Sequence, residues 1–147
     1  MGRVSMPYAG DDGPQFPVLI GLDGDRVTAL VDAGGVVPPP VFATATFDTG
    51  TNISVLSREI AARLGLLPVG QRSSQTAGGV VAASLYLVGF GLPPMFGLTE
   101  IAILEERLLV AVLPGLPDDA PVLFGMDLLN RCLLTNNGPA RSFALEF

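Results

Sequence analysis

The sequence predicts an all-β fold with one main helix and a short helix near the C-terminus. The 147 residues include 18 glycines and 13 prolines, together about a fifth of the chain and well above the ~12% average. These residues recur about every ten positions, a spacing that favours many short strands over long helices. Apolar residues make up 49% of the chain, which is enough for the packed core of one average-sized domain.

The individual elements follow from apolar runs that end at turn residues. Ser57 is a good N-cap for the main helix, and Gly65 is a helix stop signal. The short helix is predicted over residues 126–132. Residues 1–14 are interpreted as a flexible arm and residues 15–147 as the folded domain. The predicted strands cover residues 16–22, 26–31, 41–47, 98–104, 108–113 and 121–124, with hairpins over 72–87 and 133–147.

The composition excludes several kinds of chemistry. The chain has no His and one Cys, and all eight basic residues are Arg. Ser-His-Asp or Cys-His catalysis, His-ligated metals and lysine Schiff bases are therefore ruled out. A single cysteine forms neither an intrachain disulfide nor a thiolate cage. We expect no metal and no cofactor, which leaves carboxylates, hydroxyls and Cys132 as candidates for catalysis.

Charge and hydropathy also limit the partners. The net charge of −6 repels phosphates, so a nucleic acid is not expected as a partner. Residues 1–5 lack the apolar core of a signal peptide, and no apolar run reaches the ~20 residues needed to span a bilayer. We therefore expect a cytoplasmic protein that does not bind membranes.

Residues 47–51 carry the strongest chemical signal. An apolar run leads into Asp48, which Thr49 and Gly50 follow. In a tight turn, Gly50 allows the backbone to approach the carboxylate, and Thr49 offers a hydroxyl to a neighbouring loop. The tripeptide alone is more often typical of a structural Asx turn, so its context decides the interpretation.

Three features in a fixed order resemble the retropepsin-like aspartic proteases, the single-domain viral-type enzymes and their bacterial relatives. The first is the Asp48-Thr49-Gly50 loop, and the second is a Gly-tipped hairpin at residues 76–79. The third is an apolar-apolar-Gly signature before a short helix, at Val122-Leu123-Phe124-Gly125-Met126-Asp127-Leu128-Leu129. The resemblance covers residues 16–147 and implies a closed acid-protease barrel that works as a two-fold homodimer.

The resemblance also implies an activity, that of an aspartic endopeptidase in which two aspartates activate water. A chain with one Asp-Thr-Gly would take its second aspartate from Asp48 of a partner copy. Thr49 and Gly50 would hold the pair, with Thr49 bonding across the axis. The substrate would be an extended peptide beneath the hairpin, which would act as a flap. The candidate substrate-binding residues, in the flap and the cleft wall, are Ala77, Gly78, Gly79, Val80, Val81, Leu123 and Phe124.

Alternatives stay open for the catalytic residue and for the activity. Asp32 also links an apolar run to a Gly turn, although no hydroxyl residue follows it and a proline run comes next. Many viral members carry an Arg that braces the dimer where this chain has Met126, so the brace is either lost or supplied by Arg131. The alternative function is a retropepsin-shaped dimerisation or peptide-binding module with weak or no turnover.

For two further residues near the third motif, Asp127 and Cys132, the sequence favours a structural role. Asp127 is placed to act as a carboxylate at a helix N-terminus, where the helix dipole favours negative charge. Cys132 lies among leucines in the sequence and is interpreted as a buried thiol.

Overall fold

The computed structural model describes residues 2–8 and 13–147, and in these ranges the chain forms ten strands and three helices. The fold is mostly β, as the sequence predicts. The helices are α1 (Gly24–Asp32), α2 (Arg58–Arg63) and α3 (Met126–Leu129). The strands are β1 (Arg3–Pro7), β2 (Gln15–Leu22), β3 (Val41–Phe47), β4 (Val55–Leu56), β5 (Gly70–Thr76), β6 (Gly79–Leu92), β7 (Ala102–Val112), β8 (Val122–Phe124), β9 (Leu133–Asn137) and β10 (Ser142–Glu146).

The strands form two sheets. The larger has seven strands in the order β2-β3-β8-β4-β7-β6-β5, and β2 pairs with β6 as well as with β3. Its pairings are antiparallel except for β3 with β8 and β4 with β7, which are parallel. The smaller sheet has the order β1-β10-β9 and is antiparallel.

A cluster of phenylalanines joins the two sheets. Phe16, Phe47 and Phe124 belong to the larger sheet, and their ring centroids lie 4.3 to 5.3 Å apart. Phe143 of β10 brings the smaller sheet to within 5.2 Å of Phe47. Edge-to-face contacts of this kind add to the free energy gained by burying the rings. The main core thus contains side chains from both sheets, and the phenylalanine cluster includes Phe47, which directly precedes Asp48.

Helix α2 is confirmed where the sequence predicts it. The Ser57 hydroxyl accepts a hydrogen bond from the Ile60 backbone N–H at 3.4 Å, and Ile60 and Ala61 are buried. Gly65 follows the helix with φ of +59°, a left-handed value that favours glycine.

The strand predicted over residues 26–31 is wrong, because this segment forms helix α1. Asp23 acts as the N-cap, since its carboxylate accepts a hydrogen bond from the Arg26 backbone N–H at 3.2 Å. Val27 and Leu30 pack against the core with the spacing of one helix face. The Asp23-Gly24 pair starts a helix instead of a hairpin turn.

The flexible arm predicted for residues 1–14 is wrong for residues 3–7, which form β1 and pair with β10. Val4 and Met6 are buried, so this strand alternates between the core and the solvent. The Tyr8 hydroxyl donates a hydrogen bond to the Asn136 side chain at 3.1 Å, which extends the contact to β9. Residues 9–12 of the predicted arm lie outside the described residues.

The remaining strand predictions are confirmed with changed bounds. The two strands predicted over 98–104 and 108–113 are one continuous strand, β7; of its three charged residues, Glu106 and Arg107 are exposed and Glu105 is half-buried. The short helix α3 ends three residues earlier than predicted. Both hairpins form, as β5–β6 and as β9–β10.

The three helices are short, with nine, six and four residues. Within the described residues, none is long and apolar enough to cross a bilayer.

Replacing Phe124 by Ala should destabilise the fold strongly, because the ring has no exposed surface. We expect Phe124→Ala to lower the free energy of unfolding in urea by about 3–5 kcal/mol. Phe42→Ala is the matched control, since Phe42 lies on the neighbouring strand but is 56% exposed; its cost should stay below about 1 kcal/mol. Equal losses of unfolding free energy in the two variants would contradict the placement of Phe124 in the core.

Candidate active site

Asp48 lies directly after β3, in a turn fixed to the neighbouring strand. Its backbone N–H donates a hydrogen bond to the Phe124 carbonyl at 3.0 Å, which continues the parallel pairing of β3 with β8. Its half-buried carboxylate accepts a hydrogen bond from the Gly50 N–H at 2.8 Å. A Cβ at Gly50 would lie 3.1 Å from that carboxylate oxygen. Glycine therefore allows the close approach that the sequence predicts.

The two threonines of the turn have different surroundings. Thr51 donates a hydrogen bond through its hydroxyl to the Ile53 carbonyl at 2.8 Å, and its own carbonyl accepts one from the Met126 N–H at 2.9 Å. Thr49 is exposed, and its hydroxyl makes no hydrogen bond within the part of the chain that the structure describes. The Thr49 hydroxyl is free to bond a group from outside the chain.

A buried network, not predicted from the sequence, holds the segment just after the Asp48 turn against α3. The fully buried Ser54 donates through its hydroxyl to the Asp127 carboxylate at 2.7 Å and through its N–H to the other carboxylate oxygen at 2.8 Å. The same hydroxyl accepts a hydrogen bond from the Gly125 N–H at 3.0 Å.

Gly125 is required at its position by lack of space. A Cβ there would lie 2.9 Å from the Ile53 carbonyl and 3.0 Å from the Ser54 nitrogen, distances that real Cβ atoms do not show. The polar Ser54 within the apolar run Ile53-Ser54-Val55 is the one signal in the sequence that could have indicated the network. Asp127 lies in the first turn of α3, as predicted, and also accepts from the Leu128 N–H at 2.9 Å.

Asp48 opens into a cavity of about 530 Å³, lined by the Asp48 turn and by residues of β4, β5, β7 and β8. The floor is apolar, and β5 supplies a polar side. Asp48 is the only carboxylate residue around the cavity among the described residues. The residues that line it are Asp48, Gly50, Thr51, Asn52, Ile53, Val55, Arg72, Ser73, Gln75, Thr76, Ala111, Leu113 and Leu123.

Of the two predicted wall residues on β8, only Leu123 lines the cavity. Phe124 points the opposite way, as successive side chains of a strand do, and its ring packs on Phe16, Phe47 and Phe90 in the core. The wall position expected for Phe124 is therefore corrected to a core position.

The predicted flap is the tip of the β5–β6 hairpin, and the structure places it beside the cavity. Ala77 and Gly78 are exposed, and Gly79 has φ of +110°, which favours glycine. Val81 lies opposite Ser74 in the pairing and is half-buried, whereas Val80 is 68% exposed. These five residues do not line the cavity, which is reached instead by Arg72, Ser73, Gln75 and Thr76 of the same hairpin.

Asp32 does not take the position of a catalytic residue. It is the exposed last residue of α1, instead of following a strand, and it does not line the cavity around Asp48.

Arg131 and Cys132, which lie near the third motif, both interact with other residues of the chain. Arg131 forms an ion pair with Glu105, so its side chain is already occupied. Cys132 is half-buried, and burial raises the pKa of its thiol although the neighbouring Arg131 acts in the opposite direction. A raised pKa leaves less thiolate, which is the nucleophilic form. Within the described residues, no three acidic or cysteine side chains group closely enough to hold a metal ion.

The chain was compared with known proteins. The model of the aspartyl protease family matches residues 40–128, more than half of the chain. A retropepsin-like aspartic protease from Rickettsia conorii is similar over 99% of this chain and 91% of its own, with a TM-score of 0.57 and 17% identity. EIAV protease, in complex with an inhibitor, matches 86% of this chain and 93% of its own, with a TM-score of 0.48 and 20% identity. No curated protein sequence matches at a significant level.

Replacing Asp127 by Asn should loosen the Asp48 turn. Whichever way the amide is oriented, its NH₂ group meets a backbone N–H, of Ser54 or of Leu128. We expect a loss of about 1–3 kcal/mol in the free energy of unfolding, measured in urea. Asp118→Asn is the control in an exposed loop and should stay within about 0.5 kcal/mol of the parent chain. An unchanged Asp127→Asn variant would contradict the role of the network.

Proposed function

Because the chain belongs to the aspartyl protease family, we propose that it is an aspartic endopeptidase whose catalytic pair consists of one Asp48 from each of two copies. One observation carries this proposal: the Asp48 carboxylate faces a cavity of about 530 Å³ with an apolar floor and a hairpin along its side. A carboxylate in a concave, partly apolar site is the arrangement that acid–base hydrolysis of a bound peptide needs.

In the proposed mechanism, two Asp48 carboxyls share one proton. Two carboxylates at hydrogen-bond distance do not both ionise readily, so one stays protonated while the other is charged. The charged carboxylate takes a proton from water, and the water oxygen attacks the scissile carbonyl carbon. The protonated carboxyl donates a hydrogen bond to the carbonyl oxygen. Transfer of a proton to the amide nitrogen then allows the carbon–nitrogen bond to break.

The need for two copies follows from what surrounds Asp48. No second carboxylate lines the cavity among the described residues, so a single chain lacks half of the pair. The exposed Thr49, with its hydroxyl unbonded in the described part of the chain, would be available to the partner across a two-fold axis. Gly50 would hold the carboxylate through its N–H. A closed barrel is part of this proposal and is supported by the pairing of β2 with both β3 and β6.

The smaller sheet supports a contact between copies at strand β9. In the described residues, β1 and β9 are its edges. Pro7 interrupts the hydrogen-bonding capacity of β1, whereas β9, Leu-Leu-Thr-Asn-Asn, has neither charge nor proline. Leu133 on β9 is 59% exposed. An uncharged edge strand of this kind is suited to pairing with another strand.

The substrate would lie extended across the cavity. Its side chains would contact the apolar floor that includes Leu123 and Leu113. Its main chain would pair with the β5–β6 hairpin, with the tip at Ala77, Gly78 and Gly79 moving over it as a flap and Val80 and Val81 flanking the tip.

A peptide-binding or dimerisation module without turnover is the second candidate. It is favoured by one observation, the ion pair that engages Arg131 with Glu105. Met126 follows Gly125 where many viral members have an arginine, and Arg131 is already paired with Glu105. Neither position therefore supplies an arginine to brace the dimer.

Asp48→Asn separates the two candidates. The variant should cut cleavage of a mixed peptide pool, followed by mass spectrometry from acidic to neutral pH, by at least about a thousandfold. Asp32→Asn is the control and should stay within about twofold of the parent. Equal cleavage by Asp48→Asn and the parent would overturn the catalytic role of Asp48. A loss confined to Asp32→Asn would transfer that role to Asp32.

Mixing the parent chain with Asp48→Asn tests the shared site. After unfolding and refolding an equimolar mixture, random pairing leaves about half of the parent chains in active pairs, so activity per parent chain should fall to about half. A site complete within one chain would keep full activity. Mixing the parent with Asp32→Asn controls for losses on refolding.

A further inference from the structure

Arg72, on strand β5, lines the same cavity as Asp48. Its partner in the β5–β6 pairing is Ala83, and directly opposite residues of neighbouring strands share a face of the sheet. Ala83 is buried in a cluster with Val55 and Ala111, and these two residues line the cavity. The pairing and the cavity lining thus agree that the Arg72 side chain is on the cavity face of the hairpin.

The Arg72 guanidinium has no partner of opposite charge in the described residues. The ion pairs found there are Arg3 with Glu146, Arg107 with Asp25 and Arg131 with Glu105. Apart from Asp48, Arg72 is the only charged residue around the cavity in the described part of the chain. Its donors are therefore available to a bound molecule.

The balance of charge in the cavity differs from that of the whole chain. The chain has a net charge of −6. In a pair of copies, however, two Arg72 guanidinium charges would outweigh the single negative charge of two Asp48 carboxyls that share a proton. A guanidinium forms strong paired hydrogen bonds with a carboxylate. An acidic side chain is thus the group that this cavity accommodates best.

We propose that Arg72 is a specificity-determining residue that selects peptides with an aspartate or glutamate side chain close to the scissile bond. The inference rests on the proposed function and names its substrate class. Arg72 binds the acidic side chain and takes no part in the chemical step, so it acts on substrate selection and not on water activation.

Binding to the Asp48→Asn protein tests the inference without turnover. The probes are fluorescein-labelled decapeptides with an amidated C-terminus, identical except for Glu, Gln or Lys at one position that is moved along the peptide. Fluorescence anisotropy should show that, at one or two positions, Glu peptides bind about fivefold more tightly than Gln peptides, a preference that weakens with salt. A Gln peptide with a free C-terminal carboxylate distinguishes a chain terminus from a side chain as the bound group.

The matched variants decide the outcome. In Asp48→Asn/Arg72→Gln the preference for Glu should disappear, and in Asp48→Asn/Arg72→Glu it should reverse in favour of Lys peptides. Asp48→Asn/Arg63→Gln removes an arginine at the end of α2, outside the cavity, and should keep the preference. Three results would each overturn the inference. The ratio of the affinities for Glu and Gln peptides could be the same with and without Arg72. The protein could instead prefer only the peptide with a free C-terminal carboxylate, or it could bind no peptide at all.

The two proposals fail in different ways. A parent chain that cleaves peptides through Asp48 but shows no preference dependent on Arg72 would overturn only the assignment of Arg72. A chain that binds acidic peptides through Arg72 and cleaves none of them would overturn only the endopeptidase.

Discussion

The buried hydroxyl of Ser54 joins two segments that lie 73 residues apart in the chain. It donates to Asp127 and accepts from Gly125, so it both donates and accepts at a fully buried position. Losing either partner would leave a buried polar group unsatisfied, which costs more than the bond itself contributes. This constraint fixes the segment just after the Asp48 turn, and residues 48–51 themselves have no hydrophobic side chains to anchor them.

The features of the fold that could be predicted from the sequence are those with a local cause. Strands β2 and β3 follow from β-rich apolar runs, and α2 follows from the cap at Ser57 and the stop at Gly65. Helix α1 was missed because Asp23 followed by Gly suits a turn as well as an N-cap, and only the hydrogen bond to Arg26 distinguishes them. Strand β1 was missed because five residues form a strand only when β10, from the other end of the chain, pairs with them.

The same distinction applies to the candidate site. The motif around Asp48 is local, and it lies within the residues that match the aspartyl protease family. Leu123 and Phe124 were both expected at the cleft, but adjacent residues of one strand face opposite sides, and the sequence does not reveal which side is the core. The positions of Ser54 and Arg72 depend on contacts and on a strand register that connect distant segments, and the polar Ser54 between Ile53 and Val55 is the only local sign of either.

The contact between Tyr8 and Asn136 has a spectroscopic consequence. The chain has no Trp and two Tyr; Tyr8 adjoins the smaller sheet, and Tyr86 belongs to β6 of the larger one. Intrinsic tyrosine fluorescence therefore comes from one side chain at each sheet. Phenylalanine variants at either position would let the melting of the two sheets be followed separately, and coincident curves would mean that the phenylalanine cluster couples them into one cooperative unit.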